Sequence, residues 1–245
     1  DRLSINNDRE KTMSNNELGF AYENEVIEAL KTAGIAGNIQ EGAGASATGA
    51  DADFFVGGKK YLLEVKKDAD AQMGGTSVRY KEGSFEMVNE EVDQSTTDLI
   101  LSALGQKVDA IESLLAAIGA EKFPTTCDKY TWTVAKNKGL LKPINAKIKE
   151  NTKFIIDHYK KKGIHYMQIG GAGLFYLDEN PANLPVPKLE GEIDIELRAG
   201  RSGSTLNAAG VRRVSGLLRA QARLKFKGKS PISLDSQSGI AQLKR

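Results

Sequence analysis

The sequence predicts an α/β fold with a helical middle segment and an antiparallel, β-rich C-terminal half. Three observations carry that expectation. An amphipathic helix is followed by two short strands, leucines and isoleucines recur at helical spacing in mid-chain, and three C-terminal runs alternate apolar with polar residues.

Residues 16–33, NELGFAYENEVIEALKTA, read as the first helix, ended by Gly34. Residues 52–57 and 60–66 read as strands joined by the tight turn Gly57-Gly58, and 76–88 as a second hairpin turning at Glu82-Gly83. Residues 90–119 read as helix, with Leu99, Leu104, Val108, Ile111, Leu115 and Ile118 among its apolar positions. A further helical stretch covers 142–162 and ends in YKKKG. HYMQIGGAGLFYLD, EGEIDIELRAG and VSGLLRAQARLKFKG then alternate as strands. Trp132 and YMQIGGAGLFYL read as core. The polar, aperiodic residues 1–13 read as a disordered leader or a cloning remnant, outside the fold either way. The expected segments are 14–89, a helical 90–163 and a β-rich, basic 164–245 packed on the first as one domain.

With 245 residues the chain can bury a substantial core. It has no run long enough to span a membrane, so no membrane partner is expected. One cysteine, Cys127, excludes an internal disulfide framework and suits a cytoplasmic location. With only His158 and His165 beside it, a thiolate or imidazole zinc cage is disfavoured, and any metal is expected to be oxygen-bound magnesium or manganese. Both histidines read as surface or core residues rather than catalytic bases. The net charge of +2 is uneven: residues 191–245 hold eleven Lys/Arg against four acids, +7, and the remainder twenty-three against twenty-eight, −5. A basic segment of this kind suits a polyanion.

The acids around the first hairpin carry the chemistry. At about 100° per residue from Phe20, Val26, Leu30 and Ile27 fall at about 240°, 280° and 340°, with Glu23 at about 300° among them. Glu25 and Glu28 face away. A carboxylate on an apolar face needs a partner or a cation. Asp53 stands where a loop becomes a buried strand. Asp51, two residues earlier, reads either as a turn residue after GAGASATGA or as a second acid on the same side. In the second strand Leu62, Glu64 and Lys66 share a face, and the hairpin is expected to bring Asp53 and Glu64 side by side. Two carboxylates so close repel unless a cation bridges them. A neighbouring lysine suits phosphodiester hydrolysis, where an ammonium stabilises the pentavalent charge.

The set Gly19-x-x-x-Glu23, then GADADFFV, then EVK resembles the PD-(D/E)XK nuclease superfamily over about residues 16–70, with Ala52 where the family name has proline. The resemblance implies a restriction-endonuclease-like fold, a mixed central sheet flanked by helices, in a bacterial or phage protein. It also implies that Asp53, Glu64 and the Val65 carbonyl bind magnesium (manganese substituting), that Lys66 is the catalytic lysine, and that Glu23 is a second-metal or water-held acid.

In LLRAQARLKFK, Arg219, Arg223, Lys225 and Lys227 line one strand face. The stripe suits a phosphate backbone, or equally an ion-pair ladder with Glu192, Asp194 and Glu196. Arg201, Arg212 and Arg213 read as a glycine-rich loop suited to DNA phosphates, with no comparable acids beside them. Ser77 and Arg79, with Thr76 and Lys81, are within reach of a phosphate or belong to an ordinary exposed hairpin. The expectation is therefore a magnesium-dependent DNA endonuclease. A homodimer is compatible with cutting both strands, though no residue specifies one. The alternatives are a non-catalytic DNA-binding or structural protein that retains a nuclease-like core, and a module whose acids bind calcium, which leaves Lys66 unexplained.

Overall fold

A computed structural model of the 245-residue chain describes residues 15–37, 49–88 and 94–243. The fold is mixed α/β, with six α-helices and two sheets among those residues. It divides into two compact units that interleave along the chain, Asp1–Asp68, Lys162–Lys188 and Lys229–Arg245 in the first and Ala69–Lys161 and Leu189–Gly228 in the second. The sequential segments expected from the sequence give way to this interleaving: 164–245 contributes to both units. The expected leader, 1–13, lies outside the described residues.

Unit one opens with α1 (Asn15–Thr32), β1 (Ala52–Val56) and β2 (Lys59–Lys66). Unit two contributes β3 (Gln72–Lys81), β4 (Ser84–Met87), α2 (Gln94–Gly105), α3 (Val108–Ile118), β5 (Lys122–Phe123), β6 (Thr125–Asp128), α4 (Lys129–Asn137), β7 (Ala146–Asn151) and α5 (Lys153–Lys161). The chain returns to unit one for β8 (Ile164–Ile169) and β9 (Gly173–Tyr176), then to unit two for β10 (Glu192–Leu206) and β11 (Arg212–Lys225). It closes in unit one with α6 (Gln237–Ala241).

The sheet of unit one runs β1-β2-β8-β9, antiparallel at both ends and parallel between β2 and β8. Gly57 (φ 56°) and Gly58 (φ 78°) supply the two left-handed positions of the tight turn between β1 and β2. That two-residue turn sets the register, with Val56 opposite Lys59, Phe54 opposite Tyr61 and Ala52 opposite Leu63. Phe54, Tyr61, Leu63 and Val65 pack with Val26 and Leu30 of α1 in one buried cluster. Gln168, fully buried beside Val65, ties the C-terminal segment down. Its Nε2 donates to Ser233 Oγ (2.9 Å) and to the Tyr22 hydroxyl (3.0 Å), and its Oε1 accepts from Leu234 N (3.0 Å).

Unit two is built on an antiparallel sheet, β4-β3-β11-β10-β7, with β5 beside β3 and β6 beside β11. Glu82 (φ 51°) and Gly83 (φ 77°) form the expected turn between β3 and β4. Three local expectations are corrected. The helix expected over 90–119 is two helices, α2 and α3, divided after Gly105, with 89–93 outside the described residues. The stretch 142–162 is helical only at its ends: a 3-10 turn at Lys142–Ile144, then β7, then α5. β7 is a strand because Lys147 and Lys149 point out at period two to meet acids of β10, Asp194 and Glu196 for the first and Glu192 for the second. Finally, the loop expected around Arg201, Arg212 and Arg213 is mostly strand, since β10 runs to Leu206 and β11 begins at Arg212.

Candidate active site

Continuing the hairpin register past Ala52–Leu63 sets Asp51, not Asp53, opposite Glu64. Directly opposed residues of an antiparallel pair share a face, and Glu64 and Lys66 share it at period two. The side chains agree. Asp51 Oδ2 accepts from Val65 N (2.8 Å) and lies 4.0 Å from Lys66 Nζ, while Lys66 Nζ makes a close ion pair with Glu64 Oε1. All three are largely withdrawn from water, with side-chain exposures of 13% for Asp51, 7% for Glu64 and 16% for Lys66.

Glu23 reaches the same cluster from α1. Burial pushes its carboxyl up to about 7, Asp51 and Glu64 push in the same direction, and Lys66 pulls back. Asp51 is raised to about 6, chiefly by burial and then by Glu64, against the opposing pull of Lys66, the Val65 N–H and Lys162. Glu23, Asp51, Glu64 and Lys66 thus form one electrostatic unit.

Asp53 is on the same strand face but two register pairs farther along, opposite Leu62. Its carboxylate packs against Gly37, where an added Cβ would lie 1.9 Å from Oδ1, and it pairs with Lys60 Nζ at 3.5 Å. Asp53 Oδ1 is buried without a hydrogen-bond partner among the described residues. The sequence expectation that Asp53 stands beside Glu64 is therefore corrected: the turn geometry gives that position to Asp51. Val65 contributes its N–H to Asp51. Lys60 and Lys162 were not singled out in the sequence. Lys60 was legible as the i, i+2 neighbour of Leu62 on the acidic face, whereas Lys162 carried no local signal.

Three carboxyl groups share one ammonium, and two of them hold protons more tightly than a free side chain. That donor set is short of positive charge, and a hard divalent cation fits it. Among the described residues, no three His, Cys, Asp or Glu side chains already form a metal cage; here the Lys66 ammonium spans Asp51 and Glu64.

The expected DNA contacts all belong to unit two. The ladder reading holds for Arg223, whose Nε pairs with Glu196 (3.4 Å), whereas Lys225 Nζ pairs closely with Asp70, which is not one of the expected ladder acids. Arg219 is exposed and sits opposite Arg198. Arg201 is exposed opposite Gly216. Arg212 Nη1 donates to Ser204 Oγ (2.9 Å), and Arg213 Nη2 to Thr126 O (3.0 Å). Asp128 lies opposite Arg213 in the register, so that arginine does have an acid nearby, contrary to expectation. Ser77 and Arg79 lie in β3, where Arg79 pairs with Glu86 of the same hairpin (3.5 Å). β3 is an inner strand of its sheet, between β4 and β11, with Thr76, Val78 and Tyr80 buried, Ser77 partly buried and Arg79 exposed. No helix among the described residues is long and apolar enough to cross a membrane. Comparisons with protein-family models, curated proteins and solved structures find no match to this chain.

Proposed function

We propose that the protein is a metal-dependent DNA endonuclease of the PD-(D/E)XK type, with Glu23, Asp51, Glu64 and Lys66 as its catalytic set. The observation that carries the reading is the opposition of Asp51 and Glu64 across the hairpin, with Lys66 Nζ contacting both. The mixed sheet supports the restriction-endonuclease-like fold: an antiparallel hairpin followed by a parallel neighbour, with α1 against β1 and β2.

Asp51 and Glu64 would hold magnesium or manganese, with Glu23 and the Val65 carbonyl as further oxygen donors. The bound cation supplies a Lewis acid for the phosphate and a more acidic water. The residues of the chain do the rest. The Val65 N–H fixes the Asp51 carboxylate. Lys66, held beside two acids, directs its ammonium at the charge that develops on the phosphate oxygens. Glu23, whose carboxyl titrates near neutrality, holds or releases a proton at the edge of the cluster.

The direct test is incubation with supercoiled, linear, single-stranded and branched DNA, with and without magnesium. Magnesium-dependent cleavage of any of them supports the reading. Binding without cleavage under all conditions points instead to a non-catalytic DNA-binding protein that retains the core.

A further inference from the structure

We propose that the distal part of the β10–β11 hairpin, Arg201 to Arg213, is an arm that enters a groove of duplex DNA, its arginines on the phosphates and Leu206 and Val211 within the groove. DNA as the occupant rests on the nuclease reading; the form and charge of the arm do not.

The arm outruns its sheet. β7 accompanies β10 only from Glu192 to Leu197, and β6 and β3 accompany β11 only from Arg213 onward. From Arg201 through Arg212 every residue is exposed. At about 3.3 Å per residue, the six residues from Arg201 to Leu206 extend about 20 Å, and a two-stranded ribbon is one of the elements the major groove admits.

Along the ribbon itself the charge has one sign, and the acid of the neighbouring strand, Asp128, stands opposite Arg213 at the base of the arm. No Asp or Glu occurs between Glu196 and Asp235, and the hydrogen-bond acceptor of Arg212 is the uncharged Ser204. By contrast, Arg223 and Lys225, deeper in the sheet, are paired with carboxylates.

The tip is apolar and preformed. Leu206 is 64% exposed and Val211 39%. Leu206 lies opposite Arg212, so an apolar side chain and a guanidinium share one face. Asn207 Oδ1 accepts from both Ala209 N (3.1 Å) and Val211 N (2.8 Å), and Gly210 takes φ 73° to close the turn. An ordered tip needs little further ordering on binding. Bare apolar residues between arginines match the methyl contacts and wedges used in DNA grooves. The register shifts between Ser202 and Thr205, and an irregularity of this kind interrupts the regular edge that another strand would pair with.

The test is equilibrium binding of a short duplex and of its single strand in EDTA, where no cleavage is needed. Arg201→Ala with Arg212→Ala should weaken duplex binding and lower the slope of log affinity against log salt by about 0.9 per arginine. Leu206→Ser with Val211→Ser should weaken duplex binding about tenfold with the slope unchanged, and leave single-strand binding unaltered. Arg223→Ala with Lys225→Ala should leave the slope unaltered. Wild-type duplex affinity in either tip variant would overturn the proposal. So would loss of a self-associated dimer in those variants with duplex affinity retained, which would give the arm to a second copy. A failed arm with intact magnesium-dependent cleavage leaves the nuclease reading standing, and the converse leaves the arm standing.

Discussion

Replacing Asp51 by asparagine should stabilise the metal-free protein at neutral and alkaline pH and leave its stability unaltered in acid. Folded Asp51 titrates near 6 against 3.8 for the free side chain, mainly because it is buried and faces Glu64. The folded state therefore binds the proton more tightly than the unfolded state. Below 3.8 both states are protonated and folding loses nothing at this residue. As the pH rises through about 6, the folded state keeps a buried charge that the unfolded state hydrates, and stability falls. At 1.36 kcal/mol per tenfold change in proton affinity, the loss is about 3 kcal/mol. For a chain of this size that is about 6–12 °C in midpoint. The asparagine oxygen can still accept from Val65 N, so the amide removes the charge and keeps the hydrogen bond. Glu23 acts in the same direction, with a smaller share because it is only partly buried. Thermal unfolding of wild type and Asp51→Asn in EDTA, between about pH 4 and about pH 8, reads the difference. Magnesium should then raise the wild-type midpoint at the alkaline end and leave the variant unmoved, since a ligand that binds only the native state stabilises it. An Asp51→Asn protein less stable than wild type at alkaline pH in EDTA would refute the reasoning, because Lys66 and the Val65 N–H would then outweigh burial.

Two further substitutions test how the site is supported. A Cβ at Gly170 would lie 2.0 Å from the Lys67 carbonyl oxygen, and Gly170 N donates to Lys66 O (2.8 Å). Gly170→Ala should therefore cost roughly 1–3 kcal/mol in urea unfolding and reduce cleavage by displacing the backbone beside Lys66. Gln168→Ala removes the amide that joins Tyr22, Ser233 and Leu234. It should cost about 1–3 kcal/mol and expose the segment after Lys229 to limited proteolysis, with unchanged protection counting against the tie.

The parts of this fold with strong local grammar were legible before the structure. Gly57-Gly58 and Glu82-Gly83 announced their hairpins, and Gly34 followed α1. The amphipathic angle of Glu23 put it among the apolar positions, and it does reach the acid cluster. The exchange of Asp53 for Asp51 was also within the sequence's reach. A two-residue turn after Val56 pairs it with Lys59, and counting outward arrives at Asp51 opposite Glu64. Asp128, the N-cap of α4 that accepts from Tyr130 N and Thr131 N, is a further local signal in the sequence. Other features had no local signal. AKIKEN is ambiguous until β10 offers acids to its lysines, because strand formation there is decided by a partner distant in sequence. The parallel pairing of β2 with β8, and the interleaving of the two units, depend on contacts about a hundred residues apart.

The central claim is that Asp51, Glu64, Lys66 and Glu23 cut DNA with a divalent cation. Nicking of supercoiled plasmid in magnesium, compared among wild type, Asp51→Asn, Asp53→Asn and Lys66→Ala, tests it most directly. The account predicts that Asp51→Asn and Lys66→Ala each lose at least about 100-fold in rate, while Asp53→Asn, whose carboxylate is turned to Gly37 and Lys60, retains most of it. Undiminished nicking in Lys66→Ala or Asp51→Asn, or a loss in Asp53→Asn as deep as that in Asp51→Asn, would contradict it.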